Sequence, residues 1–413
     1  MRGSVFRRNT CRLCDGHELE LALHLDPTPI ADDYVSVERL AMVQETYPLD
    51  LFLCRTCGHV QLLDVVDPEV LFGDYVYVTS ISLGLVEHFR RYADDVLRRI
   101  IPPVGAFVVE IGSNDGTLLK FFQDRGMCAL GIDPARGIAR KATESGIETL
   151  PTFFTSELAR KIRLERGAAT IVCANNVFAH GDNLADMVEG VRELLAPDAV
   201  FVFEVSYLVD IVQKMLFDTI YHEHLCYHSV KPLDRFFRRH GMELIDIERI
   251  ASKGGSLRAT VQLTGGPRAM SPKIEELIAL EASLGLDRVE TFRAFAAKIE
   301  SVKTQLLELL HDLKSQGRTI VGYGASATVT TLIYHFELSD KLSFIVDDNP
   351  TKQNSFSPGH HIPVLSPQAI YERKPEYVLI LAWQYAEPIK EKHHAFLEQG
   401  GHFIVPLPRV EVI

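Results

Sequence analysis

The sequence predicts an α/β protein: two Rossmann-like units behind an N-terminal module organised by four cysteines. Two CxxC pairs predict the module, Cys11-Arg12-Leu13-Cys14 and, forty residues on, Cys54-Arg55-Thr56-Cys57. Short apolar strands alternating with amphipathic helices from Phe107 to about Leu263 predict the first unit, and a second alternation from Arg318 predicts the other. A chain of 413 residues is too long for one hydrophobic core, which agrees with several domains. The boundaries are expected at residues 1–79, 80–265 and 266–413.

Two thiolates two residues apart share one tight turn, and two such turns complete a tetrahedral four-thiolate zinc shell. Four thiolates leave no open coordination position, so Cys11, Cys14, Cys54 and Cys57 are expected to hold structural Zn2+. Disulfides are the competing reading. The stretch MRGSVFRRNT has no apolar segment of a secretion signal, which favours thiols and a cytoplasmic location. The other cysteines, Cys128, Cys173 and Cys226, are expected to be buried small side chains.

Hydrophobic residues make up 46% and charged residues 24%, as in ordinary globular proteins. A net charge of −12 argues against a large nucleic-acid footprint, so the cysteine module is not read as a DNA finger. No run of eighteen apolar residues is present, so no membrane span is expected. The chain is expected to act as a monomer.

In chain order, a helical pattern from about Ser80 to Ile101 stops at Pro102-Pro103. The strands AFVVEIG, CALGID, AATIVCANNV and AVFVFEV follow, each separated by a helix, and a Gly-Gly-Pro turn at 265–267 closes the run. A long helical stretch from about Ser271 to Ser315 has one interior weakness, Gly285. The strands TIVGYGAS, LSFIVDD, YVLILAW and HFIVPLP then build the last unit.

Phe107–Leu118 reads as a buried strand, a Gly-bearing turn and a helix start. Gly112 lets the backbone approach a ligand closely, and Gly116 lets the helix begin tightly against the strand. A dinucleotide fingerprint would read GxGxxG; here the spacing is E-x-G-x-x-x-G, with the acids Glu110 and Asp115 about the turn. Those acids would repel a pyrophosphate. S-adenosylmethionine fits, since it carries a sulfonium and an ammonium group and no phosphate, and Asn114 adds a polar group to the turn. The next strand ends in Asp133, placed to accept hydrogen bonds from ribose hydroxyls, and the third ends in Asn175-Asn176, which can flank the adenosine. These offsets together predict a class I methyltransferase domain. A Rossmann-like domain that binds nothing would leave the acid-rich turn without a purpose.

The segment Tyr221-His222-Glu223-His224-Leu225-Cys226-Tyr227-His228 places six titratable groups among eight residues, just after a core strand and helix. Three readings compete: general acid/base chemistry, a second zinc site using the HxH spacing, and a structural hydrogen-bond network. In the last unit, Gly322-Tyr323-Gly324-Ala325-Ser326-Ala327 is a small-residue turn at a helix start with no acid in it, suited to a pyrophosphate. Asn349, after Asp347-Asp348, is placed for ribose or base, Lys352 for phosphate, and Trp383 to wall the cleft. The bland alternative is a decayed Rossmann unit that serves only as a lid.

With these motifs in order, the chain resembles the three-domain sugar C-methyltransferases, which methylate C-3 of nucleotide-linked 4-keto-deoxysugars. The resemblance rests on the paired CxxC turns, Asp74–Ser82, EIGSNDG at 110–116, Tyr221-x-Glu223-His224, Gly254–Arg258 and Gly322–Ala327, and it covers nearly the full length. One position departs: antibiotic-sugar members carry Asp or another residue where His222 stands. The resemblance implies that the middle domain binds S-adenosylmethionine and that the last domain helps hold the nucleotide sugar. It also places Tyr221, Glu223 and His224, with Tyr77 and His180, at the reacting sugar, and the segment bearing Ser80 and Ser82 beside it. A carbon next to a ketone must lose its proton before it attacks a methyl group, so a base and an oxyanion donor are required. His224 is expected as base with Tyr221 as the alternative, Glu223 orienting the pair, and Tyr77 or His180 at the oxyanion. An O- or N-methyltransferase is the runner-up, and a zinc-stabilised scaffold without catalysis the remotest reading.

Overall fold

The structure is a computed structural model that describes residues 5–73, 78–81 and 84–413. Tyr77 and Ser82 therefore lie outside the described residues. The chain forms two compact units of interleaved segments. The first comprises Met1–Glu20, Leu53–Asp210 and Leu225–Arg288, and the second Leu21–Phe52, Ile211–His224 and Val289–Ile413. This cuts across the three consecutive blocks expected from sequence, because the stretch between the two CxxC pairs packs with the C-terminal strands. No described helix is long and apolar enough to cross a membrane.

The first unit is built on a seven-stranded sheet: β1 (Phe107–Ile111), β2 (Cys128–Ile132), β3 (Thr149–Leu150), β4 (Ala169–Asn175), β5 (Leu195–Ser206), β6 (Met242–Ile250) and β7 (Ser256–Leu263). Their spatial order is β6-β7-β5-β4-β1-β2-β3. β7 alone runs against its neighbours, pairing antiparallel with both β5 and β6. The chain steps outward from β1 through β2 to β3 and returns at β4 beside β1, so the order switches between β1 and β4. Crevices at the carboxyl ends of strands flanking such a switch are where open α/β sheets bind ligands.

Residues on one face of β1, β4 and β5 show why this sheet needs a cover. Val108, Ile171, Cys173, Val200 and Val202 join Phe89, Tyr92, Ala93 and Val96 of the helix Leu85–Ile100 in one buried cluster. The helix forms because its apolar residues recur at Leu85, Phe89, Tyr92, Ala93 and Val96, with Glu87 in the first turn and Arg98 and Arg99 in the last. It starts later than expected, since Thr79–Ile81 is a separate 3-10 turn. The opposite face is aromatic: Phe178 stacks 4.8 Å from Phe203 and 5.8 Å from Phe237. Cys173 and Cys226 are buried as expected, but Cys128 opens an edge-ward strand and is exposed.

The expected helix over 271–315 is two helices, Lys273–Leu284 and Val289–Ser315. Gly285 ends the first in the left-handed region at φ 65°, so it is a C-terminal cap and not an interior weakness. The first helix carries the buried Glu281, whose carboxylate accepts from the backbone N–H of Val230 and Lys231 and from the Tyr207 hydroxyl.

The second unit holds another seven-stranded sheet: β8 (Ile320–Tyr323), β9 (Ile345–Val346), β10 (Ser355–Phe356), β11 (Pro363–Leu365), β12 (Tyr377–Ile380), β13 (His402–Val405) and β14 (Glu411–Val412). The order is β10-β11-β9-β8-β12-β13-β14, parallel except at its two edge strands. Residues 21–52 dock on this sheet: Val35 exchanges both backbone hydrogen bonds with Phe356 of β10, and the Thr330 hydroxyl donates to the carbonyl of Ala31.

Candidate functional site

The four cysteine sulfurs lie within 4.8 Å of one another. Cys11 and Cys57 Sγ are 3.6 Å apart, as are Cys14 and Cys54. Four sulfurs at about 2.3 Å from one zinc ion would be separated by about 3.8 Å, so the donor set fits tetrahedral Zn2+. Each knuckle is shaped by its backbone. Leu13 N–H points at Cys11 Sγ, and Gly58, at φ 84°, returns its N–H to the Cys54 carbonyl. Arg12, inside the first knuckle, is buried and donates to Gln61 Oε1 at 3.0 Å and to Asp182 at 3.0 Å. The knuckle is thereby tied to the loop after β4, which carries His180.

At the carboxyl edge of the first sheet the expected cofactor residues converge. Gly112 and Gly116 both have positive φ, and a side chain at either would run into Val177 or Ile147. Asp133 organises the turn: Oδ2 accepts from Asn114 N at 2.8 Å and Oδ1 from Ala135 N at 2.9 Å. Its carboxylate is thus a clasp for the loop, with its remaining lone pairs for any ribose. Asn114 Oδ1 accepts from Thr79 N and Asp115 Oδ2 from Ser80 N, each at 2.9 Å. The expected substrate residue Ser80 is therefore pinned by its backbone to the cofactor turn. Asn176 adopts φ 57° as the chain leaves β4, donating to the Glu204 carbonyl.

Glu110 Oε2, Ser113 Oγ and both amide atoms of Asn175 are buried without a hydrogen-bond partner among the described residues. Burial drives the Glu110 carboxyl well above its ordinary range; Asn175 lies near enough to ease that rise without closing a well-formed hydrogen bond. Buried polar atoms of this kind are normally satisfied. A ligand bearing an ammonium group and hydroxyls fits them, and S-adenosylmethionine is such a ligand.

The Tyr221–His224 segment belongs to the second unit, with Gly324, Ala325, Ser326, Asn349, Lys352 and Trp383, whereas the cofactor residues and His180 belong to the first. His224 Nδ1 donates to the Thr219 carbonyl at 2.8 Å, and its ring centroid is 4.1 Å from that of Tyr221. His222 is 1% exposed, its Nε2 donates to the Tyr47 carbonyl, and burial pushes it down to about 4. It is a neutral packing residue. The described residues hold no metal cluster besides the four cysteines, so the HxH spacing builds no second zinc site among them. His180 stacks on Phe72, their rings 5.5 Å apart.

Three C-terminal positions expected to meet substrate have partners within the chain. The turn at 324–326 is not acid-free: Asp347, from the end of β9, accepts from Ala325 N at 2.5 Å and from Asn349 N at 2.7 Å. The Lys352 ammonium pairs with Asp32 at 2.6 Å and lies over the Tyr34 ring. Trp383 is buried, with Nε1 donating to Asp218 Oδ2 at 2.8 Å, so it braces the segment leading to Tyr221. Asn349 caps its own turn by accepting from Thr351 N at 3.0 Å. A further cluster was missed altogether: Glu204, 1% exposed, is held by Arg258 at 2.6 Å and His88 at 2.7 Å. The signal was an acid closing the otherwise apolar strand VFVFEV, which a buried strand carries only with partners.

Comparisons with known proteins divide the chain into three consecutive stretches. Residues 11–72 match the family described as "Putative zinc binding domain", 85–247 the "Methyltransferase domain" and 251–408 the "C-methyltransferase C-terminal domain". The chain is 37% identical over 405 residues to C-methyltransferase NovU of Streptomyces niveus, covering 98% of this chain and 96% of that one. Among solved structures, the CcbJ methyltransferase from Streptomyces caelestis has a TM-score of 0.36 and 16% identity over 46% of this chain and 97% of its own. Magnesium protoporphyrin IX methyltransferase from Synechocystis, with bound SAM, has a TM-score of 0.33 and 12% identity over 43% of this chain and 80% of its own.

Proposed function

Because the chain belongs to the zinc-containing, three-domain sugar C-methyltransferases, and is thus an S-adenosylmethionine-dependent enzyme, we propose that it methylates C-3 of a nucleotide-linked 4-keto-deoxysugar. The bound donor supplies an electrophilic methyl group. The chain must supply a base that takes the proton from the carbon beside the ketone, and a donor to the enolate oxygen that results.

The observation that carries this reading is the hydrogen bond between His224 Nδ1 and the Thr219 carbonyl. A carbonyl only accepts, so Nδ1 carries a proton, and in the neutral ring the lone pair is on Nε2. The ring is held in the tautomer a base requires. Tyr221, packed on the same ring, is assigned to the enolate oxygen, and Glu223, 4% exposed, to orienting the loop. The nucleotide sugar is assigned to the second unit, at the carboxyl ends of β8, β9 and β12. The Asp347 clasp there favours ribose contact over a pyrophosphate resting on Ala325.

His224→Asn keeps an N–H for Thr219 and removes the base. Solvent deuterium exchange at C-3 of the nucleotide sugar, run without a methyl donor, should fall by about 10²-fold or more, and methyl transfer with it. Binding of S-adenosylhomocysteine should be unchanged. If exchange survives in His224→Asn and is lost in Tyr221→Phe, the proton goes to Tyr221. Methylation of an oxygen or nitrogen without carbon exchange would overturn the reading.

A further inference from the structure

The alternation of β1, β4, β5 and β7 sends Glu110, Asn175, Glu204 and Arg258 to one face of the first sheet. Register places Glu204 opposite both Asn175 and Arg258, and Glu110 opposite Cys173, two residues before Asn175. On that face the inner half is apolar and packs under the helix Leu85–Ile100. The carboxyl end is a polar row across four adjacent strands. One half of the row, Glu110 and Asn175, has buried atoms without partners among the described residues. The other half is a closed charge cluster: Arg258 holds Glu204 Oε1, and His88 Nε2 holds Glu204 Oε2 at 2.7 Å. Arg258 also lies 4.5 Å over the Tyr92 ring, which fixes it from below.

His88 reaches this row from the first turn of the helix that covers it. Its side chain keeps 21% exposure, while Glu204 behind it keeps 2%. A carboxylate holding one imidazole nitrogen sets the direction of the other, as in carboxylate–histidine pairs generally. The segment just before the helix is pinned to the cofactor turn through Thr79 and Ser80. His88 thus stands at the carboxyl edge, at the end of the row that holds Arg258, while Glu110 stands at the other end. The amino-acid end of the methyl donor has the same polarity, an ammonium beside a carboxylate.

We propose that His88, oriented by Glu204 and Arg258, donates Nδ1–H as an imidazolium to the α-carboxylate of the methyl donor, opposite Glu110 and Asn175, which take its ammonium group. This rests on the methyl donor alone and not on the acceptor sugar, so its failure would leave the assignment of His224 untouched.

The test uses two nucleosides that differ only at the amino-acid end. S-adenosylhomocysteine carries it, and 5′-methylthioadenosine lacks it. Isothermal titration of the full-length, zinc-loaded protein should show His88→Phe weakening S-adenosylhomocysteine about tenfold and leaving 5′-methylthioadenosine unchanged. Unchanged affinity for both, or an equal loss for both, would overturn the proposal, the second because it reports a damaged loop. Should His88→Phe fail to fold, His88→Gln is titrated with the same pair and judged the same way.

Discussion

A buried side chain takes its meaning from its partner, and partners come from far along the chain. Asp218 shows this. Burial raises its carboxyl from 3.8 to about 7, while the Trp383 indole N–H, from a strand end 165 residues away, pulls the other way. A folded-state value above the unfolded one means the folded protein binds the proton more tightly. Stability from this group is therefore complete below pH 3.8 and is lost as pH rises through about 7. Asp218→Asn cannot ionise and keeps an oxygen for Trp383. It should flatten the pH dependence of unfolding between about pH 4 and 7 and exceed the parent at pH 8 by on the order of 1–3 kcal/mol, read by urea titration. An unaltered slope would show that Asp218 does not titrate there. The same distance explains which residues the sequence misrepresented. Lys352 and Trp383 look like free ligands in their own motifs, and nothing local announces Asp32 or Asp218.

Elements were read more faithfully than single side chains, because a strand–turn–helix signal is local. Both Gly turns stand where the apolar runs and glycines put them, and the helix break at Gly285 needed only its left-handed conformation to be recognised as a cap. What the local signal could not carry was the device common to both sheets. In each, the acid ending the second strand reaches back to a backbone N–H of the turn after the first: Asp133 to Asn114, and Asp347 to Ala325. Gly324 makes the second turn possible, at φ 110° with no room for a side chain, since a Cβ there would sit 2.6 Å from that of Ala382. Gly324→Ala should cost about 2–4 kcal/mol through strain and overpacking. Thermal unfolding would register that loss, while S-adenosylhomocysteine affinity, which depends on the other turn, stays level. Equal stability of the variant would mean the turn relaxes freely.

At the scale of the whole molecule, the cysteine pairs were legible as a metal site but not as a junction. Cys14 and Cys54 bracket residues 21–52, which group with the C-terminal unit. Spacing alone cannot tell a loop of the module from an excursion to another unit. Zinc therefore fastens both ends of that excursion, and stripping it with a strong chelator should lower stability by several kcal/mol, given the magnitude of structural zinc binding. The melting temperature should fall steeply and recover on adding back one equivalent of zinc; an apo-protein melting like the parent would refute a structural role. The interleaving has a consequence for synthesis. The chain alternates between the two units in six stretches, and the first unit is finished only when Arg288 has been made. A ribosome therefore releases residues 21–52 and 211–224 before the later elements they pack against exist. Those stretches must wait unassembled, and no single contiguous piece of the gene encodes either unit by itself.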